Sequence, residues 1–180
     1  LMGCMLSAAS CNKWFMEEIL KTEDFAGEQK AITPEKLGRN TVFFLPYLMG
    51  ERSPLNDVNA RAAFLGMSMD TERADLTQAV LEGVAFAIRD SFEVAKDLGL
   101  DIQKSTICGG GAKSPLWKTI LANVLNIELD SPASEQGPGM GGAMLAMVAC
   151  GAYRTVAEAC GALVRIDGRV EPDPELVRRY

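Results

Sequence analysis

The sequence contains no histidine. Triads built on a histidine base, and metal sites ligated through imidazole, are therefore excluded. The five cysteines, Cys4, Cys11, Cys108, Cys150 and Cys160, are scattered and form no Cys-x-x-Cys pair. A zinc site or a disulfide framework does not follow from such spacing, and a reducing cytoplasm fits it best. Positive charge is also scarce. Eighteen Lys and Arg face 24 Asp and Glu, for a net charge of −6, and no basic run occurs. That balance argues against a nucleic-acid partner or an anionic membrane surface. No basic stretch precedes the opening apolar run, which reaches only to Cys11 and is too short to span a membrane.

What remains is a chain of 180 residues with 48% apolar side chains, enough for one domain with a real core. Residues 2–21 have helical spacing, and nothing ahead of Leu1 caps them, so the chain is expected to begin inside an element of a longer protein. Residues 22–39 are polar, with Gly27, Pro34 and Gly38 as punctuation, and read as a loop with one helical turn. Residues 41–48 and 63–69 read as two antiparallel strands, and Pro46 must sit at a bulge, an edge or the strand end. In the loop between them, Glu51, Arg52, Asp57 and Arg61 form either a ligand or interdomain site or a solvated face with one ion pair. The longest helix is expected over residues 73–98, capped by Asp70 or Thr71 and ended by Gly99. Gly83 inside it costs about 1 kcal/mol relative to alanine, which predicts close packing against a neighbour.

Residues 105–124 are the centre of the pattern: a β-branched strand, the three glycines Gly109, Gly110 and Gly111, then an amphipathic helix. Ser114 suits the cap of that helix and Pro115 its first turn. Glycines let a ligand touch the backbone, and a helix start offers free N–H groups and partial positive charge. The arrangement is that of a nucleotide or phosphate site, or of a tight strand-to-helix turn. Walker A is excluded, because its two glycine positions hold Ile107 and Ala112. A dinucleotide fingerprint survives, with Gly109 and Gly111 in place, Ser114 for the third glycine and Asp130 on the next strand for a ribose. Gly137, Gly139 and Gly142 match the same fingerprint literally, although a Ser-Pro-Ala-Ser loop separates them from their strand. Further helices are expected from Gly137, over residues 153–163 and from Glu175, with residues 170–174 extended. The whole is an α/β domain with a mixed sheet.

Several of these stretches resemble one family. Phe44-Leu-Pro-Tyr-Leu-Met-Gly-Glu-Arg-Ser-Pro54, Asp57 with Ala60-Arg61, Gly66 and Arg73-Ala-Asp-Leu76 carry the likeness. So do Leu81-Glu-Gly-Val-Ala-Phe-Ala-Ile-Arg-Asp90, Gly109-Gly-Gly-Ala-Lys-Ser-Pro-Leu-Trp117 and Gly137-Pro-Gly-Met-Gly-Gly-Ala143. In that order they are similar to the C-terminal domain of the FGGY carbohydrate kinases, within that family most of all to the xylulokinases. The match covers nearly the whole chain, with Gly142 where the family usually has alanine.

The resemblance implies a ribonuclease H-like, actin-type domain spanning residues 1–180, truncated at its N-terminal side and lacking its first strands. It implies ATP and Mg2+ as cofactors, with Gly109, Gly110, Gly111, Ala112, Lys113 and Ser114 on the adenosine and α-phosphate side of the nucleotide. It implies a sugar, D-xylulose first and another polyol or ketose second, bound through the absent N-terminal domain. The carboxylate that takes the hydroxyl proton in phosphoryl transfer falls on no residue of this chain, so no catalytic residue is assigned and the isolated chain is expected to be inactive. The helix from Gly137 would face the other domain near the hinge. A sheet edge left unpaired by the absent strands offers a route to a homodimer. Two readings of other classes stay open on the residues themselves: an NAD-binding oxidoreductase domain using Asp130, and a non-catalytic assembly domain in which the glycines only pack.

Overall fold

A computed structural model describes residues 3–134 and 137–180. The first helix, α1 (Ala9–Trp14), starts later than the apolar spacing predicts and runs on as a π-helical turn, Phe15–Ile19. Leu1 and Met2 lie outside the described residues. The polar stretch after it holds two short elements rather than one, α2 (Phe25–Lys30) and a 3-10 turn, Pro34–Lys36. Asp24 caps α2 by accepting from the Gly27 N–H at 2.8 Å.

The two strands expected next are antiparallel but short, β1 (Phe43–Leu45) and β2 (Ala63–Leu65). Pro46 follows β1 directly, at its end. Helix α3 (Arg73–Asp97) is the spine, with Val80, Leu81, Val84 and Ala85 fully buried. Its cap is neither Asp70 nor Thr71 but Glu72. Asp75, at the third helical position, reaches back to accept from the Glu72 N–H at 2.9 Å, and that reciprocal contact selects the residue. Gly99, at φ +84°, follows the helix end as expected.

β1 crosses α3 at Gly83. A Cβ built there would lie 2.1 Å from the Phe44 carbonyl oxygen, so backbone approach accounts for the glycine. Phe64 on β2 stacks at 4.7 Å on Phe44 and at 5.7 Å on Phe15, closing the core on that side.

The remaining chain builds a mixed sheet in the order β3 (Lys104–Thr106), β4 (Glu128–Pro132), β5 (Ile166–Val170). β3 and β4 are parallel and joined through α4 (Pro115–Leu125), whose Ile120, Ala122 and Val124 are fully buried in the same core as α3. β4 and β5 are antiparallel, joined through α5 (Gly137–Ala149) and α6 (Val156–Leu163). β3 and β5 are the outer strands among the described residues. Helix α7 (Pro174–Arg179) brings Tyr180 back to α3, where its hydroxyl donates to Glu82 Oε1 at 2.7 Å. Gln78 donates to the same oxygen at 2.8 Å. Burial pushes the Glu82 carboxyl above its ordinary range, and the Glu-Gly-Val motif is thus explained by structure. Among the described residues no helix is long and apolar enough to cross a membrane.

Candidate functional site

β3 ends on a last ladder bond, from the Ile107 N–H to the Asp130 carbonyl at 2.9 Å. The chain then turns at Gly109, whose φ of +84° lies in the left-handed region that L side chains avoid. A 3-10 turn, Gly110–Lys113, follows. Ser114 caps α4 by accepting from the Trp117 N–H at 3.0 Å, with Pro115 in the first turn, as the sequence predicts. The three glycines have three different reasons. Gly109 supplies the turn. Gly111 lies on the Trp117 ring, where a Cβ would come within 3.1 Å of a ring carbon. Gly110 meets nothing within 4 Å and keeps an ordinary φ, so neither fold nor crowding demands it, and the space beside it is open.

That space is a cleft of about 650 Å³ on one side of the turn, and a separate hollow of about 390 Å³ lies on the other. The larger has the turn as one wall, with Gly110, Gly111, Lys113 and Ser114, and α1 and α2 as the other, with Asn12, Phe25 and Gln29. The walls are joined where the Ser114 hydroxyl donates to Gln29 Oε1 at 2.6 Å. α2 itself is pinned to α3 by Arg73, whose guanidinium donates to both oxygens of Glu28 at 2.8 and 2.6 Å. The smaller hollow is lined by Gly109, Ala112 and Lys113 together with Lys118 and Asp167. All six residues expected at the site therefore border one hollow or the other, and Lys113 borders both. The opposite wall was not anticipated: a six-residue helix with no buried residue carries no apolar stripe to read.

Other candidates are taken up by structure. Asp130 is 3% exposed, and its carboxylate pairs with Lys104 Nζ at 2.6 Å and Arg169 Nε at 2.8 Å. Buried and ion-paired through both oxygens, it is not presented to a ribose, which removes the support for the dinucleotide reading. The hydrogen bond from Arg169, then that from Lys104, holds the Asp130 carboxyl below its ordinary value. A group depressed in the folded state stabilises above its unfolded value, about pH 4 for aspartate, and that contribution is lost as pH falls through the folded value. Asp130→Asn is accordingly expected to lower the melting temperature at pH 7, with the gap to the parent narrowing below about pH 4. Melts followed by circular dichroism between pH 7 and 2 check this, and a constant gap would contradict it.

Glu51 is 1% exposed and accepts at Oε1 from the Leu6 N–H at 3.1 Å and the Arg52 N–H at 2.7 Å. It ties the start of the chain to the long loop. Arg61 donates to the Val58 and Ala60 carbonyls within that loop. Neither residue lines the cleft. In α5, Gly141 and Gly142 have nothing within 4 Å of a built Cβ, so packing inside this chain does not account for them. Leu145 is 60% exposed there, and Met144 is the buried residue of the helix.

The family model for the FGGY family of carbohydrate kinases, C-terminal domain, matches residues 1–150. The chain is 33% identical over 174 residues to the xylulose kinase of Staphylococcus epidermidis, covering 97% of this chain and 35% of that protein. Its fold superposes with a TM-score of 0.81 on a xyloylose kinase from Brucella ovis, at 34% identity, covering 99% of this chain and 36% of that one. It superposes with a TM-score of 0.82 on a ligand-bound xylulose kinase from Lactobacillus acidophilus, at 25% identity and coverages of 98% and 36%. The chain thus spans about a third of the length of the relatives it matches. The mixed α/β architecture is that of the actin-type fold which the sequence resemblance implies. With the family motifs in order along the chain and the same fold around them, the chain belongs to the FGGY family of carbohydrate kinases, as their C-terminal domain.

Proposed function

We propose that this chain is the nucleotide-binding half of an ATP-dependent sugar kinase, which at full length converts D-xylulose to D-xylulose 5-phosphate. The observation that carries the reading is the glycine turn with an open cleft against it and no fold reason for Gly110. The adenosine lies in the larger cleft, against Phe25 and the wall of α1 and α2. The α-phosphate meets the turn Gly109, Gly110, Gly111, Ala112, Lys113 and Ser114, where the backbone can be approached closely and α4 begins. The fit is one of chemistry as well as size: the cleft is apolar on its aromatic wall and polar at the carboxamides of Asn12 and Gln29.

Phosphoryl transfer is positioning plus charge stabilisation, with a carboxylate accepting the proton of the attacking hydroxyl. None of the residues lining the larger cleft is Asp or Glu. Among the described residues, no group of three or more His, Cys, Asp or Glu is placed to hold a metal ion. On the family resemblance, Mg2+ enters with the nucleotide's phosphates, and the sugar and its base are supplied by the rest of the protein. The five free cysteines suit a cytoplasmic setting, and the charge of −6 suits a small-molecule partner rather than a nucleic acid.

The test is ADP production by the full-length protein with D-xylulose, gluconate or glycerol, beside ADP binding and turnover by the 180-residue chain. D-Xylulose is expected to give the highest kcat/KM, and the isolated chain to bind ADP without turning over. A preference for glycerol or gluconate would overturn the sugar assignment. Turnover by the isolated chain near that of the full-length protein would overturn the division of labour.

A further inference from the structure

Asn12 is a costly residue for its place. It sits in α1 on the wall of the larger cleft and is 5% exposed, and its Oδ1 is buried without a hydrogen-bond partner. Leaving a buried amide carbonyl unpaired is destabilising. An apolar side chain, like its neighbours Cys11 and Phe15 in the core, would avoid that cost. Ser114 and Gln29 on the same walls hold each other, and Lys13 lies 3.8 Å from Glu17. The side chain that carries this unpaired acceptor lines an open cleft, so a turn of the carboxamide would present the oxygen to a donor on a ligand.

The shape of that donor follows from the side chain. A carboxamide presents an acceptor and a donor side by side. The N6-amino and N7 edge of adenine offers the complementary pair, whereas a 6-oxopurine offers two acceptors, O6 and N7. Against the 6-oxo base the Asn12 carbonyl stays unpaired and faces a second oxygen. We infer that the Asn12 carboxamide reads the adenine edge and sets the preference of the cleft for 6-amino over 6-oxo purine nucleotides. This rests on the cleft being the nucleotide site. The unpaired state of Asn12 in the empty cleft is then what the correct base relieves on binding.

The experiment is calorimetric titration of ADP, IDP and 7-deaza-ADP into the full-length protein and its Asn12→Leu variant. The parent is expected to prefer ADP over IDP by about 10-fold or more, one bidentate base contact being worth that much. In Asn12→Leu, ADP should weaken about 10-fold, IDP should hold, and the ratio should fall to about 1. Loss of N7 should weaken binding to the parent and leave the variant unaffected. The free variant should melt no lower than the parent, because an orphaned polar group has been removed; a purely structural Asn12 would give a lower melting temperature. Asn12→Ala serves the same comparison if leucine crowds the helix. A variant that binds both nucleotides with the parent's ADP-to-IDP ratio overturns the inference while leaving the nucleotide site standing. A parent that binds neither nucleotide overturns the site, and the inference with it.

Discussion

Trp117→Ala is expected to lower stability by about 3–5 kcal/mol, the usual range for removing a large buried aromatic. The side chain is 4% exposed, and its indole N–H donates to the Leu81 carbonyl at 3.0 Å, bracing α4 against the middle of α3. The same ring is the surface on which Gly111 lies. Two losses should therefore appear together: an earlier urea midpoint by circular dichroism, and weaker nucleotide binding under conditions where the variant is still folded. Trp117→Phe separates them. It keeps an aromatic floor under the turn and loses the N–H, so it should cost about 1–3 kcal/mol while retaining most of the affinity. Equal affinity losses in both variants would show that the floor does not shape the turn.

Gly83→Ala should be the second large effect, and its sign is opposite to the helix-propensity expectation. In an unobstructed helix interior the change gains about 1 kcal/mol. Here the new methyl would sit 2.1 Å from the Phe44 carbonyl oxygen, a backbone atom that cannot swing aside. β1 must move, and overpacking of this kind costs about 1–3 kcal/mol. Gly142→Ala is the matched control, in a helix and with nothing within 4 Å of the added carbon, and it should be neutral or stabilising. Urea denaturation of the two variants tests the pair. Equal shifts in the same direction would contradict the account.

The contrast shows where the sequence is legible. The cap Ser114, the first-turn Pro115 and the glycine turn are local decisions, each visible within a few residues of chain. The residues that escaped are decided by partners far along it. Ile166-Asp-Gly-Arg-Val170, with a glycine and two charges, shows no strand pattern in the sequence. It is a strand because Arg169 meets Asp130 across the sheet, 39 positions away. Glu51 looks like a loop charge until the N–H of Leu6, 45 positions earlier, is found on its carboxylate. The caps Asp70 and Thr71 were plausible neighbours of Glu72, and only the reach of Asp75 separates them. The wall of the cleft opposite the glycines belongs to the same class. Phe25 and Gln29 lie far from the motif in sequence and carry no motif of their own.

The two walls of the cleft also differ in how freely they can change over generations. The floor under the glycines is set by a tryptophan shared with the core, so almost any substitution there is paid in stability. α2 has no buried residue and hangs from the Arg73–Glu28 pair and the Gln29–Ser114 hydrogen bond. Its surface can drift, lengthen or exchange side chains without threatening the fold. If the cleft is the nucleotide site proposed above, its phosphate side can stay constant across a lineage while the side facing the base is retuned one residue at a time.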